Sequence, residues 1–312
     1  RGAISAPLYD TPRAVSTGPN WAYLRIAEGC DNRCAYCVIP SLRGKFRSRT
    51  KESILEEARL LAASGVKELI IVAQDITRYG IDLYGKVCLT ELLKELCKLD
   101  FRWVRLHYLY PELIDDELID EIASEDKIVK YLDIPIQHIN DTILRRMNRR
   151  GTGEEIRALF KKLRERIPGL VLRTSLITGL PGEGEAEFEE LCDFLREAKI
   201  ERAGVFPYSP EEGTPAALMP DRCSTEEAQR RAELCMEIQA EIMDGFAETF
   251  IGRELDVLVM GREPDGTPWG RSEYDSPDID SRVIFSGGAA PGDMVRVRID
   301  SVDDGELIGE QI

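Results

Sequence analysis

The stretch Trp21-Ala22-Tyr23-Leu24-Arg25-Ile26-Ala27-Glu28-Gly29-Cys30-Asp31-Asn32-Arg33-Cys34-Ala35-Tyr36-Cys37 changes character halfway. Residues 21–27 are apolar and aromatic, a composition that suits a pleated, half-buried strand. Residues 28–37 are largely polar, with Gly29, Asp31 and Asn32 favouring a loop, and they carry three cysteines spaced C-x3-C-x2-C. Working outward, the succession of apolar strand, loop and amphipathic helix recurs. Residues 69–73, 103–109, 131–134, 170–177 and 203–207 read as further strands, with helices over 53–63, 89–99, 115–123, 153–166 and 185–198. Six short strands alternating with helices imply a parallel sheet with right-handed crossovers. That is two units short of a closed eight-stranded α/β barrel, so an open, partial TIM-like barrel of about six strands is expected.

Beyond this, residues 224–250 predict one long helix. Ser224 and Glu227 form a capping box, and Ala228, Ala232, Cys235, Ile238, Ile242 and Phe246 keep one apolar stripe. The texture then changes to short apolar runs at 255–260, 283–285, 294–299 and 307–308, separated by Gly, Pro and Asp. These predict a small all-β domain, a five-stranded barrel of OB-like type. The expected division is an extended arm over 1–20, marked by Pro7, Pro12 and Pro19, a core over 21–246 and a β-domain over 247–312.

Composition narrows the function. The 312 residues carry a net charge of −16, which argues against a surface that coats nucleic acid. No apolar run approaches the ~18 residues of a membrane span, and no signal-peptide pattern opens the sequence, so a cytoplasmic location is expected. Eight cysteines are too sparse for a disulfide scaffold and point to reduced or metal-bound thiols. From Ala247 onward there are 15 acidic and 6 basic residues, a net of −9, so the β-domain holds over half of the negative charge.

The chemistry concentrates in the loop after the first strand. Cys30, Cys34 and Cys37 can hold three irons of a 4Fe-4S cluster and leave the fourth open. A zinc site would need a fourth ligand, and His107 and His138 lie far along the chain. Cys88, Cys97, Cys192, Cys223 and Cys235 show no ligand spacing. Two basic runs, Arg43 to Lys51 and Arg145 to Arg150, read as solvated charged faces, except Arg47 and Arg49, which follow the cysteine loop closely.

The cysteine spacing, with an aromatic residue before the last thiol, resembles the radical S-adenosylmethionine (SAM) enzymes. The resemblance implies that SAM chelates the open iron and yields a radical able to take hydrogen from an unactivated carbon. It places Tyr36 near the adenine and gathers the remaining cofactor contacts at the C-terminal ends of the strands. There Gln74, Gln137, Arg173 and Ile177 are the candidates, with Gly179 and Gly182 allowing close backbone approach to the cofactor. Ala22-Tyr23-Leu24-Arg25-Ile26-Ala27-Glu28-Gly29-Cys30, Ile39-Pro40-Ser41-Leu42-Arg43-Gly44 and Arg47-Ser48-Arg49 are similar to the methylthiotransferases, whose C-terminal β-domain, called TRAM, matches the small barrel. These enzymes convert C–H to C–S–CH3.

Val72-Ala73-Gln74-Asp75-Ile76-Thr77-Arg78-Tyr79-Gly80, Leu132-Asp133-Ile134-Pro135-Ile136-Gln137-His138 and Gly270-Arg271-Ser272-Glu273-Tyr274-Asp275-Ser276-Pro277-Asp278-Ile279-Asp280 resemble the branch acting on the β-carbon of an aspartate of small-subunit ribosomal protein twelve. An acidic β-domain fits that branch, because it attracts a basic protein and repels an RNA backbone. Asp275, Asp278 and Asp280 are the candidate docking contacts. The expected partners are thus a basic ribosomal protein and an external electron donor. Family members also carry a domain before the barrel with a second 4Fe-4S cluster. No second cysteine triad occurs here, so the expectation is a truncated core that binds one cluster and cleaves SAM without completing sulfur insertion. The rival readings are a transfer-RNA methylthiotransferase, a metal-stabilised adaptor without catalysis and a zinc module.

Overall fold

A computed structural model describes residues 15–312. Most of the expected arm, residues 1–14, lies outside the described residues; Thr17 Oγ1 donates to the carbonyl of Trp21 at 2.6 Å where the core begins. The core strands are β1 (Trp21–Arg25), the short β2 (Ala27–Glu28) and β3 (Arg47–Ser48), β4 (Glu68–Val72), β5 (Trp103–Leu106), β6 (Ile128–Asp133), β7 (Val171–Thr178) and β8 (Arg202–Pro207). Six of them form one parallel sheet in the order β1-β4-β5-β6-β7-β8, the open barrel expected from the alternation. The helices are α1 (Ile39–Arg43), α2 (Lys51–Ala63), α3 (Ile81–Tyr84), α4 (Leu89–Leu96), α5 (Asp116–Ser124), α6 (Asp141–Arg146), α7 (Gly153–Arg166), α8 (Glu185–Ala198) and α9 (Thr225–Glu248). Side-chain caps set their starts: Thr50 accepts from Ser53 N, Thr152 and Glu155 close a capping box, and Ser224 accepts from Glu227 N.

The strands present opposite chemistries on their two faces. Ala22, Leu24, Leu69, Ile71, Val104, Leu106, Leu132, Leu172 and Leu176 join the apolar core under the helices. Their alternates, Glu68, Arg105, His107, Asp133 and Arg202, are buried on the concave side. A closed α/β barrel fills that space with branched apolar side chains. Here it holds charges, and each must be paired to stay buried.

Part of the pairing lies within the sheet, Glu68 with Arg105 and Asp133 with Arg173, and the rest comes from the second domain. The strands β9 (Glu254–Arg262), β10 (Pro268–Ser272), β11 (Val283–Ser286), β12 (Met294–Asp303) and β13 (Glu306–Gln311) close into a barrel in the order β10-β11-β13-β12-β9. β10 has no counterpart among the apolar runs of the sequence because Pro268 and Gly270 interrupt its strand pattern. Gly270 is needed there: a Cβ would lie 2.3 Å from the Leu258 carbonyl of β9, where the register shifts. Leu258 also packs against Trp103, Val129, Tyr131 and Val171 of the core sheet. Beside that contact, Glu68 accepts from Arg105 Nε at 2.6 Å and from Arg271 Nη2 of β10 at 2.5 Å, all three side chains being buried.

This junction corrects the docking assignment of two residues. Asp275 is 1% exposed, paired with Arg202 at 2.8 Å, and accepts from Ser272 Oγ at 2.6 Å. Asp280 accepts from Tyr131 Oη at 2.6 Å and from Ser276 N at 2.8 Å, and its side chain is 5% exposed. Both carboxylates are buried and hold the two domains together. Asp278, between them, is exposed.

Candidate cluster and cofactor site

The cysteine loop leaves the sheet through β2 and returns through β3, whose antiparallel pairing closes its base. Gly29 turns the chain with φ +81°, and a Cβ there would fall 2.2 Å from the Lys45 carbonyl, so only glycine fits this pinch. Cys30 N donates to Gly44 O at 3.2 Å, and Asp31 Oδ1 accepts from Phe46 N at 3.3 Å. The loop is stapled to its surroundings as well. Ala35 N donates to Met147 O at 2.8 Å, Asn148 Nδ2 to Arg33 O at 2.8 Å, Ala216 N to Ala35 O at 2.9 Å and Asn32 Nδ2 to Asp75 Oδ2 at 2.8 Å. The last bond joins the loop to the end of β4, where Gln74 stands.

Cys30 and Cys34 are buried, and Cys37 is half-buried. Burial pushes the Cys30 thiol up to about 11, against the Asn32 backbone N–H that favours the thiolate, and burial likewise raises Cys37. Buried thiols of this kind stay protonated until a metal cation takes the proton's place. One organic cation is already present. Arg149 Nη1 lies 3.8 Å from Cys34 Sγ, its Nη2 donates to Pro135 O at 2.6 Å, and its guanidinium sits 4.5 Å over the Tyr110 ring. Tyr110 Oη is 3.7 Å from the same sulfur. A cavity of about 120 Å³ opens here between Asn32, Cys34, Tyr110, Glu112 and Arg149. Among the described residues no three His, Cys, Asp or Glu side chains converge as the ligands of a single ion do. A cluster asks for less, since each thiolate meets its own iron.

The sequence-predicted cofactor residues fall into two groups. Tyr36 and Ile177 pack into one apolar cluster with Ala35, Ile143, Met147 and Leu180. Gln137 joins them through the backbone: its carbonyl accepts from Ile177 N at 2.8 Å, and its N donates to Ser175 O at 2.9 Å. It does so in the left-handed region, φ 73°, where a residue with a side chain is held only by its surroundings. Gln74 Oε1 is buried without a hydrogen-bond partner, an acceptor in want of a donor. Arg173 stands apart. It points into the barrel below Ser175 and is paired with Asp133 at 3.0 Å.

Other expectations change. The approach made at Gly179 is to Ala228 of α9, 2.4 Å from a would-be Cβ, and at Gly182 to the Arg146 guanidinium at 2.8 Å. Both serve contacts within the protein. Arg49 is buried and bound to Glu57 at 2.6 Å and to Arg25 O at 2.9 Å, so it anchors α2 to β1. His138 accepts from Asn140 N at 3.0 Å and lies 3.4 Å from Glu183, which itself holds Gly179 N at 2.8 Å and Arg231 at 2.9 Å; this buried network fixes the turn after β7. Arg149 was hidden in a run of arginines that reads as a charged surface, and Tyr110 carried no signal at all. The protein's donor set, three thiols in one loop with a buried guanidinium and an unpaired amide oxygen beside them, fits a cluster together with an amino-acid-bearing cofactor.

The fold and this loop define a radical SAM protein with an appended TRAM barrel. The Radical SAM superfamily model matches residues 24–195, and the TRAM domain model matches residues 251–312. The radical SAM enzyme coproporphyrinogen III oxidase (HemN) of Escherichia coli shares the fold, with a TM-score of 0.54 at 20% identity over 73% of this chain and 54% of its own. Much nearer in sequence are the ribosomal protein uS12 methylthiotransferases RimO of Pelotomaculum thermopropionicum and Caldanaerobacter subterraneus subsp. tengcongensis. The first is 52% identical over 306 residues and the second 49% over 302, each match covering 96% of this chain and 69% of the relative. The chain belongs to this uS12 methylthiotransferase family.

Proposed function

We propose that the chain serves methylthiolation of the β-carbon of an aspartate of ribosomal protein uS12 as a core that binds one cluster through Cys30, Cys34 and Cys37 and cleaves SAM, without itself completing sulfur insertion. The observation that carries this is the convergence of the cysteine loop, Tyr36, Ile177, Gln137 and the unpaired Gln74 oxygen at one end of the open barrel. A bound cluster and SAM would supply removal of a hydrogen atom from an unactivated carbon. The chain's own residues do the rest. Arg149 holds its positive charge 3.8 Å from the Cys34 sulfur, where it would offset the negative charge of a bound cluster. Gln74 offers its oxygen to an ammonium group, and the backbone around Gln137 and Ile177 forms an edge for a planar base, with Tyr36 and Ile177 as apolar cover. The barrel wall excludes water and fixes the direction from which a target C–H bond approaches.

The test is anaerobic reconstitution with iron and sulfide, reduction by dithionite and assay of deoxyadenosine from SAM. Deoxyadenosine that disappears in Cys34→Ala is the expected result. Reconstituted, reduced protein that binds SAM and leaves it intact would overturn the proposal. A uS12-derived substrate that raises deoxyadenosine formation, where transfer RNA leaves it unchanged, would support the substrate assignment.

A further inference from the structure

The connection between β10 and β11 does not stay with its own barrel. Arg202 of β8 holds Asp275, Tyr131 of β6 donates to Asp280, and His107, following β5, lies 3.1 Å from Ser276 Oγ through its Nε2. Those residues all stand on the concave face of the open sheet. Between the two anchored shoulders, Asp278 and Ile279 are exposed, Ile279 at 52%, and Asp278 is held at φ 66°. Burial, and after it the charge of Asp278, raises the phenol of Tyr23 on β1, which places the tip on that side of the sheet. β1 and β8 are the two outer strands of the sheet. The connection therefore crosses the open barrel from one edge strand to the other, with its tip inside.

The wall above this tip is unfilled. Phe206 stands opposite Ile177 in the β7–β8 register and is 53% exposed; Tyr108, after β5, is 46% exposed. With Ile279 they make three large apolar side chains open to the concave space, although an apolar surface of that kind is normally covered. The one exposed carboxylate of the connection sits among them. Nearby charges on the wall are already paired: Asp133 with Arg173, and Glu68 with Arg105 and Arg271.

From this we infer that Asp278 and Ile279 are the floor of the substrate chamber and determine which protein segment enters it. Ile279, Phe206 and Tyr108 cover the apolar part of that segment, and Asp278 pairs with a cation beside the target residue. The β-domain thus does more than attract a basic partner from outside. One of its loops forms part of the chamber in which the reaction takes place.

The inference rests on the proposed methylthiotransferase function, and its test separates the two. A synthetic peptide spanning the target aspartate of uS12 is titrated, at two salt concentrations, against the reconstituted chain and against Asp278→Asn, Ile279→Ala and Asp265→Asn. Asp265 is an exposed carboxylate in the β9–β10 turn, remote from the concave face, and serves as the charge-matched control. Asp278→Asn is expected to weaken binding roughly tenfold and to flatten its salt dependence. Ile279→Ala should weaken it by a similar factor without altering the salt dependence, and Asp265→Asn should bind as the parent does. Thermal melting of each variant verifies that it is folded. Equal binding by parent and tip variants would overturn the inference and leave the function standing, as would an equal loss in Asp265→Asn and Asp278→Asn. A parent chain that ignores the peptide would overturn the substrate assignment and the inference with it.

Discussion

Arg149 Nη1 and Cys34 Sγ, 115 residues apart in the chain, lie 3.8 Å from each other in the interior. The guanidinium is fixed from three sides, by the sulfur, by the Pro135 carbonyl and by the Tyr110 ring. Replacing it with methionine keeps the volume but removes the charge and leaves the carbonyl unpaired, at about 1–3 kcal/mol. Arg149→Met is expected to load less iron per chain and to shift the cluster's reduction potential to more negative values, since a nearby cation stabilises the more negative reduced state. Arg149→Lys should restore charge without the planar stack and fall between. Iron analysis and a potentiometric titration followed by electron paramagnetic resonance check both outcomes; a potential unchanged in Arg149→Met would leave Arg149 as a structural brace.

Ile177 and Tyr36 meet in one apolar cluster at the end of β7. Trimming Ile177→Ala removes contact area worth about 1–2 kcal/mol, so SAM should bind roughly tenfold more weakly. The cysteines are untouched, and iron content should therefore equal that of the parent. Equilibrium binding of SAM, measured beside iron content, checks the split; equal loss of both would mean that Ile177 supports the loop and not the cofactor.

How much of this was legible in sequence depends on how far apart the partners lie. The cysteine loop is local, and its spacing alone carries the chemistry. The open barrel was legible because the helix-facing alternates of each strand, such as Leu69, Ile71, Leu172 and Leu176, are apolar. Arg149 was not, because nothing in the run around it marks the one arginine that meets a thiol 115 residues away. Asp275 and Asp280 were misread for the same reason. A carboxylate's charge is visible in sequence, but its burial against Arg202, 73 residues from Asp275, is not. Asp278, at the tip of the connection, is exposed.

Glu68 ties the two domains together, being buried between Arg105 and Arg271. Its burial pushes the carboxyl up, but the two guanidinium groups outweigh that and hold it below its ordinary 4.5. A depressed carboxyl contributes stability that is present above the unfolded value and is lost as pH falls through the folded one. Melting temperature should drop on acidification below about pH 4.5, and Glu68→Gln should remove that part of the drop. At neutral pH the same substitution strands two buried cations and should cost about 3–5 kcal/mol. Calorimetric scans of both chains from pH 6 downward are the check. Asp133 and Asp275 work in the opposite direction, since burial raises both, so they offset part of the acid dependence that remains in the variant.

His107 makes the same junction sensitive nearer to neutrality. Burial, with Arg105 and Arg173 close by, pushes its imidazole down to about 3 from an ordinary 6.5, so it stays neutral against Ser276. Here the unfolded chain binds a proton that the folded chain refuses. Stability is therefore full above 6.5 and falls as pH drops from there towards 3. Between pH 7 and pH 5 the loss should come to roughly 2 kcal/mol. His107→Asn can still reach Ser276 with a neutral amide and has nothing to titrate, so its stability should change less over that interval. Urea unfolding at the two pH values, at equal cluster loading, decides it. A variant whose midpoint falls as steeply as the parent's would place the acid sensitivity in other groups and leave His107 as a packing residue at the domain junction.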